Sequence, residues 1–510
     1  MTGIGNKNMR ILFVLKEVED EQLGIMYLAS VLKSRGYETG LIKADYDAIF
    51  TKLQDNTPTI LAYSTLGYYC NYYLELNKKI KKIFKVFSVF GGPYPTSDPG
   101  IVENDGVDAV CIGEGEYPLL ELAENLENGR DISGIKNLWV RSGGRIYKNT
   151  PRPLIDDLNE LPFPDRDIFS LKSPFFTDRV SMITSRGCLY NCPYCQNNIV
   201  RRVYGTDNIY RRRSVDNVLK EIASIRKKQE VNFILFYDDI FILMPDWLRE
   251  FSYKYGENVN IPFSCYVRIN LVNAEVVSLL KKANCHSVSF GLETGSERIR
   301  NSVLSRNISQ QEIISNARLL REKGIRMRTT NIIGIPGSSM DSDIETLKLN
   351  IKCRVDFAKV SVFSIYPKTD FSISSGMSRG NFAEYRDTPD TQVIDLLGKY
   401  SISASGHFKR IIQSAVNPEN AFKGRSERVK GINLHRLFGI TVGFPFILPF
   451  VRFLVSLPDN KLFVYLSFLW SNYCSYFRLY PTCGWLGLFR RVSRHRKAIS
   501  ADKQYRSKGQ

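Results

Sequence analysis

Three cysteines crowd into eight positions, Cys188-Leu-Tyr-Asn-Cys192-Pro-Tyr-Cys195, while the other seven of the ten are scattered along 510 residues. Ten cysteines in so long a chain are too sparse for a disulfide scaffold, so the crowding points to a metal centre. Thiolates at this spacing can each hold one iron of a [4Fe–4S] cube and leave the fourth iron without a protein ligand, open to chelate a substrate. The alternative is a structural zinc site, which needs a fourth ligand close by. Cys265, Cys285 and His286 are the nearest candidates in sequence, and each is accounted for by its own strand or the turn leading into it.

A loop of thiols needs rigid elements to aim it. The cysteines follow an apolar run at Val180–Ser185, and further short strands are expected at Phe233–Tyr237, Phe263–Arg268, Ser287–Gly291, Thr329–Ile333 and Val360–Ile365, with helical segments between them. Six such repeats make a partial (β/α)6 barrel, whose chemistry gathers at the C-terminal ends of its strands. Residues 1–150 read as a separate α/β domain. Apolar runs at Arg10–Leu15, Thr59–Ser64, Val86–Phe90 and Ala109–Ile112 suit buried parallel strands, and Ile25, Leu28, Ala29 and Leu32 fall at helix spacing with Gly36 just past the end. That pattern is a doubly wound, Rossmann-like sheet, with its ligand expected at the carboxyl ends of the strands. Pro151, Pro153, Pro162 and Pro164 break helix and central strand alike, so 151–178 is read as a linker and 179–400 as the barrel. Beyond residue 400 the alternation stops, and 401–510 is read as a basic, aromatic-rich, mainly helical C-terminal domain.

The C-x3-C-x2-C spacing, with the aromatic Tyr194 before the last cysteine, resembles the signature of the radical SAM superfamily, over about Val180 to Asp370. The resemblance implies that Cys188, Cys192 and Cys195 hold the cluster and that the open iron binds the amino and carboxylate groups of S-adenosylmethionine (SAM). One electron then breaks the S–C5′ bond and releases a 5′-deoxyadenosyl radical, which implies a reducing partner such as flavodoxin or ferredoxin. It also implies that Tyr194 lies along the adenine and that Gly291-Leu292-Glu293-Thr294-Gly295-Ser296 reaches the ribose and methionyl parts. Ile333-Gly334-Ile335-Pro336-Gly337 would back the adenine, and Arg268 is counted with the cofactor-binding residues. Ordinary βα turns are the plainer reading of both glycine-rich pieces; their order and distance from the cysteines favour the ligand reading. One stretch departs from the pattern: Phe236-Tyr237-Asp238-Asp239-Ile240-Phe241 replaces the usual Gly-Gly-Glu. An acidic pair there resembles the branch that carries an N-terminal corrinoid domain. Asp238 and Asp239 either contact ligand or cap a helix.

In the first domain, Ser64-Thr65-Leu66 ends one inner strand, Gly91-Gly92-Pro93 the next, and Gly113-Glu114-Gly115-Glu116 the one after. Glycines let backbone approach a bulky planar ligand, and the serine supplies a hydroxyl. Together these pieces resemble a cobalamin-binding domain over about Arg10 to Glu124. The commoner form of that domain has a cobalt-ligating histidine three residues before a glycine; counting back from Gly24, that slot holds Glu21. The four histidines stand at 286, 407, 435 and 495, so this domain supplies none, and its lower cobalt face is expected to lack imidazole. A Rossmann-like domain that has lost its cofactor is the alternative.

Several classes are excluded or disfavoured. No G-x-G-x-x-G opens the first helix, so a nicotinamide site is not supported. A methylthiotransferase uses extra cysteines in its first domain, where only Cys70 and Cys111 precede the motif here. The N-terminal stretch has no secretory apolar region, and a cytoplasmic location is expected. Net charge is +18, and residues 401–510 carry 18 Lys/Arg against 4 Asp/Glu. No recognition fold for nucleic acid accompanies that charge. Two apolar segments there, Leu437–Val451 and Leu462–Phe477, fall short of the about 20 residues needed to span a bilayer. Packed core helices or peripheral contact with the inner membrane face are the two readings. The expected function is cobalamin-dependent radical SAM methylation of an unactivated carbon in a small, hydrophobic or lipid-like substrate. Oxidation or cyclisation without net methyl transfer, and a cobalamin-responsive binding module with a structural cluster, are the alternatives.

Overall fold

The computed structural model of the chain describes residues 8–16, 21–65, 67–169, 179–363 and 367–374. They divide into two compact units, residues 1–229 with 365–379, and the remainder. Leu66 and the whole of 401–510, including both apolar segments, lie outside the described residues.

The first unit opens with β1 (Arg10–Leu15), α1 (Leu23–Ser34), β2 (Glu38–Lys43), α2 (Tyr46–Leu53), β3 (Thr59–Ser64), α3 (Cys70–Lys81), β4 (Phe87–Gly91), α4 (Pro93–Ser97), β5 (Ala109–Cys111) and α5 (Glu116–Glu127). A hairpin, β6 (Leu138–Ser142) and β7 (Arg145–Lys148), completes a sheet of order β2-β1-β3-β4-β5-β6-β7, whose first five strands are parallel. This is the Rossmann-like fold expected. Apolar strands buried on both faces build two cores, one on each side of the sheet: Ile11, Phe13 and Leu15 face one, Leu12 and Val14 the other. β2 went unread in the sequence because it is an edge strand, Glu-Thr-Gly-Leu-Ile-Lys, exposed at both ends and half-buried between. The β6–β7 hairpin escaped for another reason: β6 buries only Leu138 and Val140, too short an apolar run to stand out, and β7 is a largely exposed edge strand.

Residues 151–169 contain no strand or α-helix, as their prolines dictate, yet they are not a solvated tether. Ile155, Leu158, Leu161, Ile168 and Phe169 are all buried in the core beside α1 and α5. Then come β8 (Arg179–Met182), β9 (Ser185–Arg186), α6 (Gln196–Tyr204), β10 (Arg211–Arg212) and α7 (Val215–Arg226), with α12 (Asp370–Ser374) returning to the same unit.

The second unit alternates β11 (Phe233–Phe236), α8 (Pro245–Asn258), β12 (Phe263–Val267), α9 (Ala274–Lys282), β13 (Cys285–Glu293), α10 (Gln310–Glu322), β14 (Arg326–Ile333), α11 (Met340–Lys352) and β15 (Phe357–Val362). Neighbouring strands from β11 to β15 pair in parallel, each joined to the next through a helix. Every strand expected from the apolar runs is present, shifted by three residues or fewer at its start.

Candidate active site: a thiol loop and a cavity joined by one helix

The cysteines lie on a loop whose backbone is braced by hydrogen bonds. Cys188 and Cys192 are buried, and Cys195 is the half-buried N-cap residue of α6. Within the loop, Cys195 N–H donates to the Cys192 carbonyl at 3.0 Å, and Tyr190 N–H donates to the Cys188 sulfur at 3.4 Å. The chief brace is a residue the sequence reading missed. Arg201, two turns along α6 and buried, donates to the Cys188 and Tyr190 carbonyls. Those carbonyls belong to the loop, so a side chain of the helix braces the backbone that carries the thiols. On the far side Phe371 N–H donates to the Pro193 carbonyl at 3.2 Å, and Asn198 bridges Asn191 to Asp370. Tyr194 is half-buried on the same loop.

These features fit an iron–sulfur cube. The loop offers three sulfur donors, and an amide already donates to one of the sulfurs. Among the described residues no three His, Cys, Asp or Glu side chains, Cys188, Cys192 and Cys195 included, are gathered closely enough to hold a metal ion, so the fit rests on the number and spacing of the thiols. Cys265, Cys285 and His286 sit in β12 and β13.

At the carboxyl ends of β1, β3, β4 and β5 the first unit opens into a cavity of about 800 Å³. Ser64, Gly91, Gly92, Gly113, Glu114 and Gly24 all line it, so the structure gathers these separate sequence pieces around one space. Its other wall is α6, through Gln196, Asn197, Ile199, Val200 and Tyr204. A largely apolar cavity of this size with a few polar groups at strand ends fits a corrinoid.

Two predicted residues have other employment. Glu21 is absent from the lining; its carboxylate accepts from Ser181 N–H at 3.1 Å and lies 3.7 Å from Arg166. It therefore ties the loop after β1 to β8. Glu114 does line the cavity, but its oxygens accept from Ile155 N–H, Arg186 and Arg211 at 2.8 to 3.0 Å. Arg186 also bonds Glu116 at 2.5 Å. The two arginines come together because β9 and β10 pair antiparallel, Arg186 opposite Arg211. Neither was singled out in the sequence.

Tyr204 was missed as well. Its buried hydroxyl accepts from Glu114 N–H at 2.8 Å, and burial pushes the phenol up to about 12. The same oxygen explains Gly113, whose φ is +76° and whose Cβ, if present, would lie 2.2 Å from it. Gly113 makes room for Tyr204, and through it for the seating of α6. Cys111 also lines the cavity, its thiol raised by burial to about 12 and so kept protonated.

In the second unit, Glu293 ends β13 at φ 62°, in the left-handed region that a bulky residue enters only under constraint. Its carboxylate meets Arg306 at 2.9 Å, and Arg306 also donates to the Gly291 carbonyl at 3.0 Å. A Cβ on Gly291 would stand 2.0 Å from the Glu293 carboxylate, so that glycine serves its neighbour. Arg268 is buried and donates to the Arg306 carbonyl. Arg268, Glu293 and Gly291 thus form one connected group at the strand ends, while Gly334 follows β14 at φ 67°. Asp238 is buried and Asp239 exposed; α8 is capped by Met244, so neither aspartate caps the helix that follows.

The profile of the B12 binding domain matches residues 16–123, and that of the Radical SAM superfamily matches 182–349. An uncharacterized methyltransferase of Pyrococcus horikoshii is 29% identical over 386 residues, spanning 71% of this chain and 82% of that protein. The anaerobic magnesium-protoporphyrin IX monomethyl ester cyclase of Rubrivivax gelatinosus is 23% identical, over 68% of this chain and 64% of its own. Among solved structures, the radical SAM methyltransferase TsrM of Kitasatospora setae, with cobalamin and [4Fe–4S] cluster bound, superposes with a TM-score of 0.60. At 16% identity over 72% of this chain and 74% of that one, this is a likeness of fold.

Proposed function

This cobalamin-binding radical SAM protein is an enzyme, and we propose that its reaction is methylation of an unactivated carbon. One observation carries the proposal. The helix that begins at the third cluster cysteine forms a wall of the cavity at the ends of the Rossmann-like strands, so the thiol loop and the corrinoid cavity are built on one rigid element. When bound, the cluster supplies the electron that opens the S–C5′ bond of SAM, and cobalamin carries a methyl group from a first SAM towards the substrate. The protein's part is placement and exclusion. Arg201 fixes the loop carbonyls, Tyr204 fixes the far end of α6 against the cavity rim, and the Arg186–Glu114–Arg211 cluster closes that rim with paired charges.

A hydrophobic or lipid-like substrate, and peripheral contact with a membrane, rest on the basic, aromatic composition of 401–510; a flavodoxin or ferredoxin is the proposed reductant. No helix among the described residues is long and apolar enough to cross a membrane. The Rubrivivax relative, a cyclase, favours one second reading: the same cofactors used for ring formation without net methyl transfer. Turnover with SAM carrying a deuterated methyl group separates the two. A product heavier by the labelled methyl supports methylation, and a product with no label incorporated supports the cyclase reading.

A further inference from the structure

A parallel sheet covered on both sides is ordinarily apolar on both faces. The second unit departs from this on one face. Along β14 the burial alternates strictly: Met327, Thr329, Asn331 and Ile333 are buried, and Asn350 of α11 hydrogen-bonds Thr329 and Asn331 at 2.6 and 2.9 Å. That is the helix-covered face. Arg326, Arg328 and Thr330 point the other way and are half-buried. In register beside them stand Ser287, Ser289 and Gly291 of β13, and Phe357 and Lys359 of β15. The face turned away from α11 therefore carries hydroxyl groups and cations.

Its cations have no counter-ion among the described residues. Arg326, Arg328 and Lys359 form no ion pair or side-chain hydrogen bond among the described residues, whereas most buried arginines elsewhere in the chain are tied to a carboxylate or carbonyl. Arg328 Nε is buried without a hydrogen-bond partner, and its guanidinium rests 5.8 Å from the Phe357 ring centre. Lys359, beside Thr330 in register, is solvent-exposed, and its ammonium is held below the usual lysine value by desolvation and then by the charge of Arg328. The half-buried Arg328 guanidinium, with its Nε unmet and a second positive charge near it, stays costly until an anion joins it, and exposed Lys359 is free to turn towards the same anion.

We propose that this face is an anion-binding subsite with Arg328 and Lys359 as its cations, and that the molecule methylated carries a phosphate or carboxylate group seated there. The second half rests on the methyltransferase reading; the first half does not. An arginine fork beside a lysine point charge suits either oxyanion. A hydrophobic substrate with one anionic end meets both this subsite and the composition of 401–510.

The test uses the full-length, reconstituted protein in equilibrium dialysis at low ionic strength, with labelled inorganic phosphate in one arm and labelled acetate in the other. Wild type, Arg328→Gln, Arg328→Lys and Lys359→Gln are compared after circular dichroism has established equal folding. Saturable uptake that weakens about tenfold in each glutamine variant and recovers partly in Arg328→Lys supports the subsite. The arm in which it occurs assigns phosphate or carboxylate. No saturable uptake in either arm, or uptake unchanged in the variants, overturns it. A parallel tenfold loss of SAM affinity also overturns it, because the cations would then serve the carboxylate of SAM itself. Absence of SAM cleavage by the wild type would remove the methyltransferase reading and leave the anion result standing.

Discussion

Arg201 shows how a residue with no motif of its own controls the motif. Its guanidinium holds the carbonyls of Cys188 and Tyr190 and so braces the backbone that carries two of the motif's turns. Hydrogen bonds to a charged group are worth about 1.5–3 kcal/mol, and Arg201→Ala leaves buried carbonyls unmet. We expect that variant to load less cluster and to melt earlier; absorbance near 400 nm and a denaturation curve check both. Replacing any of Cys188, Cys192 or Cys195 with alanine should abolish SAM cleavage, because each thiolate holds one iron. At the other end of α6, Gly113→Ala forces a methyl group onto the Tyr204 hydroxyl and into a left-handed backbone. Overpacking costs about 1–3 kcal/mol and the backbone adds about 1–2 kcal/mol. Tyr204→Phe, which leaves the Glu114 amide unmet and removes a longer hydrogen bond from Asn137, should cost less than Gly113→Ala in the same urea titration, and the opposite order would refute this account of Gly113. The cysteines were legible because chemistry fixes their spacing within eight residues. Tyr204, Arg186 and Arg201 were not, since what they touch is distant in sequence or is featureless backbone.

In the first domain the strands that the sequence disclosed are those buried on both faces, where an unbroken apolar run is the physical requirement: Arg10–Leu15 and Thr59–Ser64 match the structure residue for residue. Edge elements carry no such requirement, which is why Glu38–Lys43 and Arg145–Lys148 were invisible, while Leu138–Ser142 buries too few apolar residues to stand out. The glycine turns were legible as turns, but their occupants were not: Gly113 accommodates Tyr204 and Gly291 accommodates Glu293 rather than a ligand directly. β13 also contains a pH-sensitive residue. Burial, then the charges of Arg326 and Lys281, lowers His286 from 6.5 to about 4, and its ring stands edge-on to Phe233 at 5.7 Å. Its folded pKa lies below its unfolded one, so between these values the unfolded chain binds the extra proton. The His286 contribution is therefore complete above about pH 6.5 and falls away as the pH drops towards 4. His286→Gln should lose less stability than wild type between pH 7 and pH 5; equal losses in paired denaturation curves would contradict it.

At the scale of the whole molecule, composition and geometry agree on the cobalt environment. No histidine occurs before residue 286, and Glu21, in the slot where a histidine ligand would stand, is engaged with Ser181 and Arg166. Bound cob(II)alamin should therefore show no nitrogen superhyperfine splitting from a protein imidazole in electron paramagnetic resonance, and a three-line pattern that disappears on substituting a histidine from 401–510 would contradict this. The fold and both cofactor domains could be read from sequence because each is announced by short strands and fixed spacings. The chemistry of the substrate could not, because it depends on which faces of the sheet stay polar once the helices have packed.

The most direct test of the central claim is anaerobic reconstitution of the full chain with iron, sulfide and cobalamin, followed by quantification of the adenosine products after incubation with SAM, a strong reductant and substrate. The account predicts two products, S-adenosylhomocysteine from the methyl donor and 5′-deoxyadenosine from the radical source, formed in step and both lost in Cys195→Ala. Formation of 5′-deoxyadenosine alone, with no S-adenosylhomocysteine at any cobalamin concentration, would contradict methyl transfer; formation of neither would contradict the enzyme itself.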